Sequence, residues 1–548
     1  MAISPLLPTE PGSLLRWGAA SVLLYHVLKT FYEFFTTRMM FRRLQSEGIP
    51  MLPHSFLFGH LAVIAKLTKG YPSGFNPQYI PLLICENWES LFPGEMSCPE
   101  LIYLDMWPLG PPIIWTVGPS YPPQSLYDLE RVTHHPNQHA FMRPMTRNLD
   151  LFSSEGAEWR TWRSRFNPGF SSKNVTSLTP LLLEEIAVFR DVLRSKAGPD
   201  GEWGSVFQLE PLATNLTFDI IVRASIDMRL NEQTRDPSNP SSLKRAMVEQ
   251  ISLLIFERNI FTLPQLLSPI RQWKLWRNNR IMRSCLMPTI RARLDPPPDT
   301  KPGKTIVDLA LKTFLSETHQ TDAKNIQPDA LFIDTVLGQL KLFIFAGHDT
   351  TAGVLSWVLH SLHTYPHSAS LVRAELDSVL GPDAAAALTT TPHLLNALPY
   401  TSAFVKEAFR LNPSGASIRI SASDFTFTSP SGKQFPTQGF MIFDALMAGM
   451  RSPAAFPRAD EFLPERWLAQ PGEELYARAK NAWRGFSMGP RGCIGQELAM
   501  AELKLAVVMV AREVEMDLWL AYATWAQRPT PGHAIKPSSL FTAHFAKF

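Results

Sequence analysis

The sequence predicts a mainly α protein with smaller β-sheets, an α+β fold organised round one long helix and preceded by an N-terminal membrane helix. A helical pattern runs from about Asp329 to Tyr365 and stops at Pro366, which lacks the N–H that a continuing helix needs. At 1.5 Å per residue that helix is about 55 Å long, enough to cross a large domain. Ser13 to Thr37 forms a largely apolar stretch, and a bilayer span takes about 20 residues. No repeat, long charge run or Gly/Ser linker divides the 548 residues, so one large unit, 46–548, follows the segment 1–45.

Composition excludes several classes of function. A net charge of +3, with 18% charged and 45% hydrophobic residues, is that of an ordinary globular protein and leaves no basic footprint for nucleic acid. No Gly-x-Gly-x-x-Gly follows a strand and no Walker-type loop is present, so electrons for any redox step come from a partner. The four cysteines, Cys85, Cys98, Cys285 and Cys493, are far apart and form no C-x-x-C pair, which speaks against a zinc knuckle or a disulfide framework and for a reducing compartment. Prolines outnumber glycines, 47 to 29, and gather in 50–123 and 296–302, where stiff connecting segments are expected.

In the N-terminal stretch Arg16, Lys29 and Glu33 interrupt the apolar run, and Arg38, Arg42 and Arg43 follow it. The basic cluster places the bulk of the chain on the cytoplasmic side. No small-residue cleavage site is evident, so an uncleaved anchor is expected, with an amphipathic helix lying in the interface as the alternative. The sequons at Asn174 and Asn215 would then face the cytosol unmodified.

Four constellations carry chemistry. Cys493 lies in Phe486–Gly495, flanked by Gly489, Gly492 and Gly495, with Arg491 two residues before it. The glycines leave room for something flat and bulky beside the sulfur, such as a haem. An arginine and unpaired backbone N–H groups are expected to lower the thiol pKa and make it a metal ligand. The alternative is a buried structural cysteine. A helix opens at Gln496, its N-terminal dipole tempering the sulfur's charge. The central helix carries Ala346-Gly-His-Asp-Thr350, where Gly347 and adjacent threonines cost helix stability. A hydroxyl on Thr350 and a carboxylate on Asp349 suit proton delivery, and the alternative is a kinked core helix. His348 reads as a polar helix neighbour. Glu407 and Arg410 share a helix face at i and i+3, and Arg466 on a proline-restrained loop completes a Glu–Arg–Arg cluster. Trp159 and Arg163 stand at i and i+4, an aromatic platform beside a cation.

In this order the four runs resemble the cytochrome P450 family from about Gly48 to the C-terminus. Phe486, Gly489, Arg491, Cys493 and Gly495 match its haem-binding signature, and Ala346–Thr350 its oxygen-activation signature. The resemblance implies a haem b beneath the long helix, with Cys493 as axial thiolate. It implies Trp159, Arg163 and Arg491 as propionate partners, with Arg419 a further candidate, and Phe486 packed near the thiolate. Glu407, Arg410 and Arg466 correspond to the structural triad, and Asp349 and Thr350 to the acid–alcohol pair that delivers protons to dioxygen. Pocket walls are expected around Phe141–Phe152, at Phe343 and at Leu540-Phe541. Two departures stand out: Met450-Arg451 where the family often has His-Arg before a proline, and a thin proline content after Arg410.

An anchor, basic residues and then Gly48-Ile-Pro resemble microsomal members of the endoplasmic reticulum. Those take electrons from NADPH through a separate cytochrome P450 reductase. The wording around Thr350 and Gln496 is similar to filamentous-fungal enzymes of secondary metabolism, including polyketide toxin pathways. The resemblance therefore implies a membrane-bound monooxygenase that uses O2 on an apolar small molecule. A haem-thiolate isomerase or dehydratase, needing no O2, and a non-catalytic haem-binding protein are the alternatives. The Asp349-Thr350 pair speaks against both, because neither times protons to dioxygen.

Overall fold

In the computed structural model, residues 11–71, 75–198, 203–256, 262–294, 303–319, 329–478, 482–520 and 541–547 are described. The central helix runs Ala330–Thr364. Asp329 caps it, its carboxylate accepting the Phe332 N–H at 2.7 Å, and Pro366 opens the next helix. Phe343, Ile344, Leu355 and Leu359 are buried along it, so it forms the spine of the largest hydrophobic cluster. Its main neighbour is the helix Leu209–Ile226. A Cβ at Gly347 would come within 2.7 Å of the Ile221 side chain, so this glycine allows the two helices to approach. Among the described residues this is the one helix long and apolar enough to cross a bilayer, and most of its apolar length is buried inside the protein.

Among the described residues, three sheets complete the α+β fold. β1 (Leu101–Leu104), β2 (Ile113–Thr116), β3 (Val132–His134), β5 (Ile418–Ser421) and β8 (Met441–Asp444) form one sheet in the order β1-β2-β8-β5-β3. Only β2 and β8 pair in parallel. β4 (Phe207–Gln208), β9 (Val514–Leu520) and β10 (Phe541–Lys547) form a second sheet, and β6 (Thr426–Thr428) pairs with β7 (Gln434–Pro436). The proline-rich region 50–123 is more than connection, since it holds β1, β2 and short helices with prolines in their first turns. Residues 296–302 lie outside the described residues.

The N-terminal helix spans Pro11–Ser46 and changes environment along its length. Trp17, Leu24, Phe31 and Tyr32 are exposed, whereas Arg38, Phe41 and Leu44 are buried. Arg38 is therefore not one of a free basic cluster: it is ion-paired with Asp105 and donates to the Phe56 carbonyl at 2.8 Å. His54 closes on the same carboxylate at 2.9 Å. The expected division at residue 45 falls inside this helix, whose last turns already belong to the packed body. A second difference concerns the cysteines, because folding brings the sulfurs of Cys85 and Cys98 to 3.2 Å.

The Glu–Arg–Arg cluster forms and is buried. Glu407 accepts from Arg410 Nε and Nη2, each at 2.9 Å, and from Arg466 Nε at 2.9 Å. It also accepts the Leu463 N–H at 2.9 Å and the Trp467 indole N–H at 3.0 Å. The arginines spend their remaining donors on the carbonyls of Met450, Pro457, Arg458, Ala459 and Glu461. Arg451 occupies the place where a second basic contact was in doubt, and it bonds the Leu411 carbonyl at 2.8 Å. Removing one member of such a cluster strands buried charge, at a cost of about 3–5 kcal/mol. Glu407→Ala is accordingly expected to lower stability by about that much in urea unfolding; an unchanged midpoint would show that the cluster is not structural.

Candidate active site

The cysteine loop is shaped by its backbone. Gly489 has φ 72°, and a Cβ there would come within 2.6 Å of the Leu126 carbonyl, so only glycine fits. Ser487 also adopts a positive φ, of 60°. The turn closes when the Cys493 N–H donates to the Phe486 carbonyl at 2.9 Å, and Gly495 then caps the helix Gln496–Val510. Arg484 ties the near end of the loop to β8, both its Nε and Nη2 lying 3.0 Å from the Asp444 carboxylate.

These elements enclose a cavity of about 320 Å³, within the roughly 300–1,000 Å³ of small-molecule sites. Cys493 and Phe486 stand on one side, Phe343, Ala346, Gly347 and Thr350 of the central helix on the other. Trp159 and Arg163 line it from the helix Gly156–Phe170, and Arg419 and Arg491 complete the wall. Every expected site residue except Asp349 lines this one cavity; Asp349 is exposed on the neighbouring position of the helix. Of the expected pocket walls, Leu151, Phe152 and Phe343 line it, and Phe141 instead packs beside Phe256 and Phe345. Leu540 lies outside the described residues, as does the Phe541 side chain.

Cys493 is exposed and lines the cavity. Burial pushes its thiol pKa up, against the smaller opposing pull of the Gly495 backbone and the Arg163 charge. The expectation of a lowered pKa is thus reversed in the protein alone, because loss of water outweighs one guanidinium. A cation bound at the sulfur would overturn that balance, since coordination deprotonates a thiol.

Three guanidiniums crowd the same wall. Arg163 donates to the Gly492 carbonyl at 3.0 Å and to Asn167 at 2.9 Å. Arg491, not Arg163, is the cation over Trp159, 4.2 Å from the ring centre. It is ion-paired with Glu155 and reaches the Leu151 carbonyl at 3.3 Å. Arg419 is placed by register, facing His134 across β3 and β5, and Ser417 accepts its Nε at 3.1 Å. Burial, with Arg491 adding repulsion, brings Arg419 down to about 10, and burial brings Arg491 down to about 10. Nη1 of Arg419 and Nε of Arg491 are buried without a hydrogen-bond partner. A cavity wall with surplus buried positive charge and orphan donors fits the carboxylates of an anionic macrocycle.

His134 and Glu155 were not legible as site residues. Glu155 accepts from His134 Nδ1 at 2.6 Å and from its backbone N–H at 3.1 Å. Burial alone would raise the Glu155 carboxyl, but His134 and Arg491 together hold it at about 2. Burial pushes His134 down to about 4, so it is a neutral donor at neutral pH. Glu502 is the other omission, a buried carboxylic acid at the cavity edge whose pKa burial raises far up. No local motif signals any of the three, because their partners arrive from distant segments. His348 behaves as a helix neighbour: it is buried, and its Nδ1 lies 2.6 Å from the Ile344 carbonyl.

The cytochrome P450 family model matches residues 118–532. The chain belongs to the cytochrome P450 family. It is 34% identical over 502 residues to cytochrome P450 monooxygenase polC of Polytolypa hystricis, covering 90% of this chain and 86% of that protein. It is 29% identical over 447 residues to cytochrome P450 monooxygenase acrF of Aspergillus aculeatus, covering 78% and 86%. The fold matches the crystal structure of a cytochrome P450DA mutant heme domain with a TM-score of 0.68 at 20% identity, covering 91% of this chain and 97% of that one. This P450 is a monooxygenase, and the family binds haem b through a cysteine thiolate.

The pKa directions give a pH dependence. His134 titrates near 6.5 when unfolded but near 4 in the fold, so between those values only the unfolded chain takes up the proton. Its contribution is complete above about pH 6.5 and is lost as pH falls toward 4, with a slope of at most about 1.4 kcal/mol per pH unit. Stability measured by urea unfolding across that window is expected to fall with pH, and less steeply in His134→Gln; equal slopes would remove His134 from the account.

Proposed function

We propose that Cys493 is the axial ligand of the haem and that this P450 oxidises an apolar small molecule with O2, taking electrons from NADPH through a separate reductase. The observation that carries this reading is the convergence in one cavity of an open sulfur, three arginines and the Thr350 hydroxyl. When bound, the haem supplies the activation of dioxygen. Arg163, Arg419 and Arg491 would hold its carboxylates, Arg419 and Arg491 with the donors that have no partner in the protein. Trp159 keeps Arg491 flat against the wall, and Phe486 shields the sulfur from the side.

Thr350 has a defined proton role. Its hydroxyl donates to the Ala346 carbonyl at 2.7 Å, so the lone pairs of its oxygen are what it offers the cavity. It therefore holds a donor such as water in place and is not itself the proton source. Asp349, exposed one position earlier, gathers protons from solvent. Leu151, Phe152, Phe170, Ile221 and Val354 give the cavity an apolar lining that suits an apolar substrate. The likeness to fungal monooxygenases supports a place in fungal secondary metabolism.

The exposed apolar length of the N-terminal helix supports attachment to the endoplasmic reticulum membrane, with the catalytic body in the cytosol. The packed body begins at Phe34, whose ring lies against Phe56 and Trp107. Deleting residues up to 33 is expected to release a folded protein from microsomes, whereas deletion through 45 also removes Phe34 and buried Arg38, Phe41 and Leu44 and should abolish folding. Equal solubility and stability of the two truncations would refute that boundary.

The ligand assignment predicts that reduced protein with carbon monoxide shows the red-shifted band of a thiolate-ligated haem and that Cys493→Ala loses it. A band retained in the variant would end the assignment. Thr350→Ala is expected to lower product formed per NADPH consumed by about tenfold or more, general acid–base positioning being worth about 10²–10⁴-fold. Unchanged coupling would place proton delivery elsewhere, and turnover without reductase and NADPH would contradict the monooxygenase reading of the electron supply.

A further inference from the structure

Cys85 ends the helix Ile80–Glu86, and Cys98 lies 13 residues later in the segment that enters β1. Their sulfurs are 3.2 Å apart, closer than two unbonded sulfurs need to be. A disulfide requires about 2.05 Å, so roughly 1.2 Å of closing motion, within reach of side-chain rotation, joins them. Both thiols are half-buried but have different neighbours. Cys85 faces the packed side, against the cluster that includes Tyr79, Ile84 and Leu91. Cys98 sits on an outer segment next to Met96, which is 98% exposed.

We propose that Cys85 and Cys98 form a reversible dithiol–disulfide couple, oxidised by a glutathione-type disulfide, that clamps the helix Ile80–Glu86 to the segment entering β1. Cys98 attacks first. Contact with Cys85 lowers its pKa, while the hydrogen bond to Cys98 and burial raise that of Cys85. The Cys98 thiolate attacks one sulfur of the glutathione disulfide, forming a protein–glutathione bond and expelling one glutathione thiolate, which takes up a proton. Cys85 then gives up its proton as its sulfur attacks the Cys98 sulfur and expels the second glutathione. The protein loses two electrons and two protons, and the glutathione disulfide becomes two thiols. Such a couple suits a reducing compartment, where protein disulfides are transient and redox-sensing. The clamp is one helix away from the active site: Ile80–Glu86 packs against Leu446–Gly449, and Leu446 lines the cavity.

The test uses the full chain in membranes. Oxidised glutathione is added, free thiols are alkylated, and peptides are mapped by mass spectrometry with and without dithiothreitol. A peptide pair joined through Cys85 and Cys98, released by dithiothreitol, is expected. In Cys85→Ser the reaction should stop at a glutathione adduct on Cys98. Recovery of both cysteines alkylated, or each carrying its own glutathione, overturns the proposal.

Discussion

The carboxylate of Glu407 is the fixed point of this P450. It is buried and accepts five hydrogen bonds, four of them from side chains on the helix Pro399–Leu411 and the loop 463–467. Two guanidiniums in low dielectric are costly unless every donor is met. Glu407 neutralises one charge, and backbone carbonyls of 450–461 satisfy the remaining donors, so that irregular stretch has one conformation in which the arithmetic of donors and acceptors closes. The entrance of the loop that carries Cys493 touches this stretch where the Arg484 N–H donates to Met450 Sδ at 3.4 Å, and the Arg484 side chain fastens it to the sheet through Asp444. The sulfur is thereby aimed by polar groups that never touch it.

The active cavity follows the opposite logic. Where the Glu407 cluster is fully satisfied, the wall formed by Arg163, Arg419 and Arg491 is left short of anions, with Glu155 the one carboxylate paired to it among the described residues. Unpaired buried charge destabilises a fold and is retained where a ligand completes it. The Cys493 thiol shares this incompleteness, its pKa raised by burial until a metal charge arrives. Carboxylates for the arginine wall and a metal cation for the sulfur are the two charges that the cavity lacks, and haem b would supply both.

Sequence carried the contiguous parts of this design well. Asp329 and Pro366 delimit the central helix because capping and the missing proline N–H act locally, and the Cys493 loop reads directly from glycines whose backbone demands are local. Register and long-range pairing were not legible. Arg419 faces the cavity because β5 pairs with β3, and the spacing from Arg410 holds no trace of that. His134 and Glu155 become site residues only when Arg491 arrives from more than 300 positions away. The direction of the Cys493 pKa is hidden from the sequence for a related reason: a neighbouring charge is local, whereas depth of burial is a property of the whole fold.

The two long helices show how partners, and not hydropathy alone, decide which solvent a segment enters. Ala330–Thr364 is apolar enough for a bilayer, yet it carries Lys341, whose ammonium reaches the Met145 carbonyl at 3.1 Å and Asn279 at 2.7 Å. Burial lowers that lysine to about 8, a cost the protein meets with two fixed acceptors that lipid does not provide. Pro11–Ser46 is interrupted by more charge, and its outer residues remain exposed until Phe34 packs on Phe56 and Trp107 and, one turn on, Arg38 meets Asp105. From these contacts onward the helix belongs to the catalytic body. An aromatic contact and an ion pair one turn apart thus separate the length available to a membrane from the length that folds, and they position the body close beneath whatever surface the helix enters.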